Sequence, residues 1–242
     1  MNLIIDQGNT ALKIALFEGD RLISKAVIEN NQPTDLVEWL QTHVAGPVNS
    51  ITSSVVNDEL DLSSLQIHSA LKLNSKMPLP IQVDYKSPET LGNDRLANAC
   101  GIWKLNPQKN SLAIDLGTCI KYDLVTAEGI YKGGAISPGL AMRYRSLHEF
   151  TAKLPLIQND QTPQVIGTDT KSSLVSGVEL GISYEINGFI ERYSEDFSDL
   201  TIFMTGGDLN HFDKGIKNRI FANPDLTLIG LNEILQFNVQ QK

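Results

Sequence analysis

The feature that most constrains this chain is a pair of matching turns. Asp6-Gln7-Gly8-Asn9-Thr10 follows the apolar run Leu3 to Ile5, and Asp115-Leu116-Gly117-Thr118 follows the strand-like run Ser111 to Ile114. Another strand-like segment follows each turn, Lys13 to Glu18 in the first case and Ile120 to Val125 in the second. An aspartate at the carboxyl end of a strand, with glycine two residues later, lets backbone amides come close to an anion. Taken singly, either turn reads equally well as a plain hairpin, where Gly and Asn are common. Two of them in two similar halves are hard to obtain from hairpin chemistry alone. Together they predict one nucleotide-phosphate site. A third turn, Thr205-Gly206-Gly207-Asp208, follows the strand Leu200 to Met204 and suits a flat base or ribose lying against backbone.

Periodicity supports two repeats of one plan. Leu3 to Ile28 reads as a hairpin plus a third strand, followed by a helix capped by Thr34 with Leu36, Val37, Leu40 and Val44 on one face. Ser50 to Val56 is the next strand, and Leu60 to Leu65 a short helix. The second half repeats the order. Strands occupy Ser111 to Ile114, Ile120 to Val125 and Tyr131 to Ile136, and a helix opens at Ser137-Pro138-Gly139. A long helix spans Ser172 to Tyr193, with Val175, Val178, Ile182, Ile186, Phe189 and Ile190 on one face. The polar, proline-containing stretch from Asn106 to Asn110 divides the chain into domains 1–107 and 108–242.

Composition removes several functional classes. With 41% hydrophobic residues the chain is expected to be globular, and a net charge of −8 argues against a nucleic-acid binder. Two cysteines, Cys100 and Cys119, make neither a disulfide framework nor a zinc site. The four histidines, His43, His68, His148 and His211, lack ligand spacing. The start of the chain reads as no signal peptide, and no apolar run suits a membrane span, so a cytoplasmic location is expected. The absence of Gly-x-Ser-x-Gly and of a Walker Gly-Lys-Ser element disfavours a serine hydrolase or a P-loop kinase.

The three turns resemble those of the acetate and sugar kinase, Hsp70 and actin superfamily. That resemblance implies an α/β, actin-like ATPase fold: two ribonuclease-H-like domains, each a mixed sheet flanked by helices, with ATP and substrate in the cleft between them. Asp6 to Lys13, then Gly92-Asn93-Asp94-Arg95, then Asp115 to Thr118, then Gly133-Gly134-Ala135-Ile136-Ser137-Pro138-Gly139 are, in that order, similar to type III pantothenate kinase. The resemblance runs from residue 2 to about residue 210. It implies ATP-dependent phosphorylation of pantothenate, the first step of coenzyme A biosynthesis. It places ATP on Asp6, Gln7, Gly8, Asn9, Thr10, Ala11, Leu12, Lys13 and Thr118. Asp6 would hold Mg²⁺ through water, and Asp115 a monovalent cation, K⁺ or NH₄⁺. Pantothenate falls to Tyr85, Gly92, Asn93, Asp94, Arg95 and Thr170, the last across a homodimer interface, with Asp94 as general base.

The residues allow plainer readings beside these. Asp94 can be an N-cap, Tyr85 a strand tyrosine and Thr170 a helix cap. Chemically, a carboxylate can take the proton of an attacking alcohol, and an arginine fork matches a carboxylate substrate better than a neutral sugar. A transcriptional accessory factor, or a kinase of the same fold for another small alcohol, is the alternative. Three residues depart from the family pattern. Gln7 replaces a small aliphatic residue, Cys119 an alanine, and Lys121 a threonine or other neutral residue. Cys119 and Lys121 share a strand face. Lys121 either bears on the cation requirement at Asp115 or is a surface lysine.

Overall fold

The structure is a computed structural model. It describes residues 1–8, 11–29, 33–54, 62, 65–158, 162–212, 216 and 218–240, with 33 and 34 as backbone only. By packing, the chain forms two units. Unit 1 comprises Met1–Gln108, Val125–Lys132 and Asp225–Lys242; unit 2 comprises Lys109–Leu124 and Gly133–Pro224.

Unit 1 is built on a sheet of β1 (Asn2–Gln7), β2 (Ala11–Glu18), β3 (Arg21–Glu29), β4 (Val48–Ser54) and β5 (Ile67–Lys72), in the order β3-β2-β1-β4-β5. The first three strands form an antiparallel meander, and β4 and β5 add in parallel on the other side of β1. Alternation sorts β1 and β2 into two faces. Leu3, Ile5, Leu12, Ile14 and Leu16 form a core with Leu36 and Leu40 of helix α1 (Pro33–His43). The opposite face, with Asn2, Ile4 and Asp6, meets α7 (Leu226–Gln240), where Asn2 Nδ2 donates to Asn232 Oδ1 at 2.9 Å. A short strand β6 (Gln82–Val83) pairs in parallel with Ile130 and Tyr131, which open β9 (Ile130–Pro138).

Helix α2 (Asn93–Leu105) is buried continuously from Arg95 to Ile102. Such a helix needs neighbours on every side. Its closest is α7, and the contact depends on glycine. A β-carbon on Gly230 would stand 1.7 Å from the Ala97 carbonyl oxygen. Buried amide and hydroxyl groups align the pair, with Thr227 Oγ1 donating to Asn98 Oδ1 at 2.8 Å.

Unit 2 repeats the strand plan. Its sheet contains β7 (Ser111–Leu116), β8 (Cys119–Val125), β9, β10 (Thr201–Thr205) and β11 (Ile220–Ala222), in the order β11-β10-β7-β8-β9, with the short β6 added at the β9 edge. Numbered from the first strand of each unit, both sheets therefore read 3-2-1-4-5. In both, the central strand ends in an Asp-x-Gly turn and the fourth strand runs parallel to it. This is the mixed, helix-flanked α/β architecture expected of the actin-like fold. Helices α3 (Leu140–Glu149), α4 (Thr170–Val175), α5 (Gly181–Asp196) and α6 (Leu209–Phe212) accompany this sheet. Val178, Ile182, Ile186 and Ile190 form a core with Leu112, Ile114, Tyr122 and Met204.

Several elements differ from the sequence reading. The long helix is interrupted by a π-helical turn at Ser176–Leu180 between α4 and α5. Helix α1 begins at Pro33, so Thr34 lies inside it rather than at its cap. Strands β5, β6 and β11 and helix α7 have no counterpart in the sequence reading. Of the helix expected from Leu60 to Leu65, only Leu62 and Leu65 lie among the described residues. No helix among the described residues is long and apolar enough to cross a membrane.

The α2–α7 contact generates a paired prediction. Gly230→Val forces backbone apart in a packed region and should cost about 1–3 kcal/mol. Gly188→Ala, in α5 with nothing near its β-carbon position, should gain about 0.5–1 kcal/mol through helix propensity. Thermal midpoints of the two variants should therefore shift in opposite directions.

Candidate active site

In unit 1 the first turn closes with the Gly8 amide donating to the Ala11 carbonyl at 3.0 Å. Register pairs Asp6 with Lys13 and Gln7 with Leu12. Asp6 and Lys13 thus share a sheet face, the one covered by α7, and α2 in turn packs on α7. Leu12 instead enters the core, leaving its backbone as the part available to a ligand. Gln7 is buried and satisfied, with Ser54 Oγ donating to its Oε1 at 2.9 Å. That pairing accounts for a polar residue where an aliphatic one was expected. Asn9 and Thr10 lie outside the described residues.

The Gly92-Asn93-Asp94-Arg95 segment forms the amino end of α2. Gly92 is the N-cap, so Asp94 sits in the first turn, its Oδ1 accepting the Arg95 amide at 2.9 Å. Asn93 Nδ2 ties this end to the Leu73 carbonyl at 3.2 Å. The Arg95 side chain is buried, with its guanidinium carbon 5.9 Å from the ring centres of both Tyr85 and Tyr131. Two aromatic faces at that distance stabilise a cation and fix the plane of its fork. Tyr85, Asp94 and Arg95, 10 residues apart at most in sequence numbering from 85 to 95, are thereby brought together.

In unit 2 three turns converge on the end of β7. The Leu116 carbonyl accepts the Asp208 amide at 3.0 Å. Gly206, at φ 101°, lies so close that a β-carbon there would stand 2.4 Å from Leu116 backbone. From the other direction the Gly139 amide donates to the Thr118 carbonyl at 3.1 Å, and a β-carbon on Gly139 would stand 2.3 Å from the Gly117 carbonyl oxygen. Gly139 is also the N-cap of α3, so the amino end of that helix meets the turn. A cavity of about 360 Å³ opens beside Asp208, lined also by Leu140, Tyr144, Ile157 and His211. Burial there raises the Asp208 carboxyl above its usual range, with nearby His211 acting in the opposite sense.

Two side-chain clusters missed by the sequence reading hold these turns. Glu185 on α5 accepts from Ser137 Oγ at 2.5 Å and from Tyr122 Oη at 3.0 Å, and it pairs with Arg143. Arg143 Nε in turn donates to the Pro138 carbonyl at 2.8 Å. Glu179, in the π-helical turn, is 3% exposed and joins Tyr144 Oη at 3.0 Å to His211 Nε2 at 2.6 Å. A π-helical turn around a buried carboxylate was the only available signal, and periodicity does not reveal one.

The remaining candidates are placed as follows. Lys121 is no surface lysine: its Nζ donates to Asp115 Oδ2 at 2.8 Å, and the two side chains are 14% and 12% exposed. The position expected to hold a monovalent cation thus already faces an ammonium group. Thr170 is exposed at the first position of α4, and Asp169 rather than Thr170 caps that helix, in a capping box with Ser172. Among the described residues no group of three or more His, Cys, Asp or Glu side chains could hold a metal ion.

A family model for type III pantothenate kinase matches residues 2–192. A type III pantothenate kinase of Christiangramia forsetii is 45% identical over 243 residues, covering 100% of each chain. A Campylobacter jejuni structure named for the Baf family of transcriptional activators has a TM-score of 0.58 at 20% identity, over 98% of this chain and 99% of that one. A ROK family protein from Streptococcus pneumoniae, solved with sucrose, has a TM-score of 0.52 at 14% identity, over 99% and 100%. At such identities the two structures speak to fold alone. From the match over residues 2–192 and the full-length relative, the chain belongs to the type III pantothenate kinase family.

Proposed function

We propose that the protein transfers the terminal phosphoryl group of ATP to the primary hydroxyl of pantothenate, giving 4'-phosphopantothenate, the first step toward coenzyme A. The observation that carries this reading is the amino end of α2, where the Asp94 carboxylate adjoins an arginine set against a pair of tyrosine rings. Arg95 takes the pantothenate carboxylate, with Tyr85, Gly92 and Asn93 shaping the pocket. Asp94 accepts the hydroxyl proton as the oxygen attacks phosphorus. The bond from the terminal phosphorus to its bridging oxygen breaks, and ADP leaves.

For the phosphates of ATP the turn from Asp6 to Lys13 supplies contacts, as does Thr118. Lys13 supplies a point charge and the amino end of α3 an anion-binding terminus. The donor set at the end of β1, one carboxylate with a facing lysine, fits Mg²⁺ bound through water and phosphates. Magnesium would neutralise charge on the transferring group. The Asp115 donor set does not fit a resident monovalent ion in the same way, because its Oδ2 already accepts from Lys121. A homodimer would complete the pantothenate site through Thr170, and the exposed Val165 and Ile166 beside it give that face an apolar surface to cover. A cytoplasmic location, expected from the sequence, suits a reaction that draws on ATP.

Two variants test the reading. Asp94→Asn should abolish pantothenate-dependent ADP release in a coupled assay while ATP binding by calorimetry is retained; near-normal turnover would remove Asp94 as the base. Arg95→Lys, which loses the planar fork, should raise the pantothenate KM by roughly tenfold or more and leave the ATP KM little changed. An equal rise in both would argue against a carboxylate clamp.

A further inference from the structure

The Asp115–Lys121 pair is set into the turn on which Gly139, Gly206 and the amino end of α3 converge. Both side chains are largely removed from solvent. Resting on the function proposed above, we infer that the Lys121 ammonium is a built-in monovalent cation: it takes the place beside Asp115 that the family gives to a dissociable ion, and the enzyme needs neither potassium nor ammonium.

The argument is one of charge and entropy. Asp115 lies at the end of the central strand β7, and Lys121 on the adjacent strand β8 reaches it with a hydrogen bond of 2.8 Å. At that separation and low exposure the attraction is weakly screened by salt. A primary ammonium carries the same single charge as potassium. Being tethered, it loses no translational freedom on arriving, whereas a free ion must be captured and stripped of water. A second cation at the same carboxylate would set two like charges side by side. The geometry therefore favours substitution over coexistence. The charge that would otherwise vary with the salt around the enzyme becomes a fixed part of the chain.

The test compares potassium chloride with tetramethylammonium chloride at equal ionic strength, using the whole protein. Wild-type ATP affinity by calorimetry and pantothenate phosphorylation should agree within about twofold in the two salts, since the internal ammonium is present in both. A wild-type loss of roughly tenfold in ATP affinity without potassium would overturn the inference. Lys121→Thr should bind ATP on the order of tenfold more weakly in tetramethylammonium and recover, with saturation, as potassium or ammonium is added. A folded Lys121→Thr protein that binds ATP like wild type without potassium, or that potassium fails to rescue, would also overturn it. Should that variant not fold, the wild-type comparison still decides. Salt-indifferent ATP binding with no phosphorylation of pantothenate in either salt would sink the proposed substrate and leave the inference standing.

Discussion

The site in unit 2 depends on how closely separate backbone segments can approach the end of β7. Leu116 accepts a hydrogen bond from Asp208, Gly206 lies against it, and Gly139 lies against the two carbonyls that follow. These approaches leave no room for a side chain at either glycine. They hold Asp115, Thr118 and the amino end of α3 in fixed register with the sheet. The amino end of α3, which opens at Gly139, gives this turn a helix terminus of the kind that suits an anion without any basic cluster. A chain with a net charge of −8 can therefore handle an anionic nucleotide by placing donors locally rather than by raising its overall charge.

The individual cations follow the same economy. Lys13 faces Asp6 across the first hairpin, Arg95 packs against the paired rings of Tyr85 and Tyr131, and Lys121 is bonded to Asp115. Each sits beside an acid or an aromatic face that fixes its position. Glu185 and Arg143 play a different part: they anchor the Ser137-Pro138-Gly139 turn from α5 and α3, so the amino end of α3 is set from behind.

The sequence made the strand plan legible because strand alternation and Asp-x-Gly turns are local. The same holds for the helix carrying Ile182, Ile186 and Ile190, whose spacing is regular. Strand β5 went unread because Ile67 to Lys72 alternates around small and polar residues, Ser69 and Ala70 among them. The π-helical turn at Ser176–Leu180 depends on a buried Glu179 whose partners, Tyr144 and His211, are each more than 30 residues away in sequence. The direction of Lys121 was open for a related reason: alternation gives a face, and only the structure gives the neighbour on the next strand. Gly92 in place of Asp94 as the N-cap shows the limit of residue preferences, since either type can open a helix.

Helix α7 carries a consequence for how the protein is made. It belongs to unit 1, packing on α2 and β1, yet it comprises residues 226–240 of 242. The nascent chain therefore emerges with the surface of α2 around Ala97 and Gly101 uncovered, and that surface stays so through synthesis of all of unit 2. Unit 1 reaches its final packing only after α7 has followed unit 2 out of the ribosome. The carboxylate and arginine at the amino end of α2 thus become part of a finished scaffold only once α7 has been made, so a product ending before α7 would lack a completed unit 1.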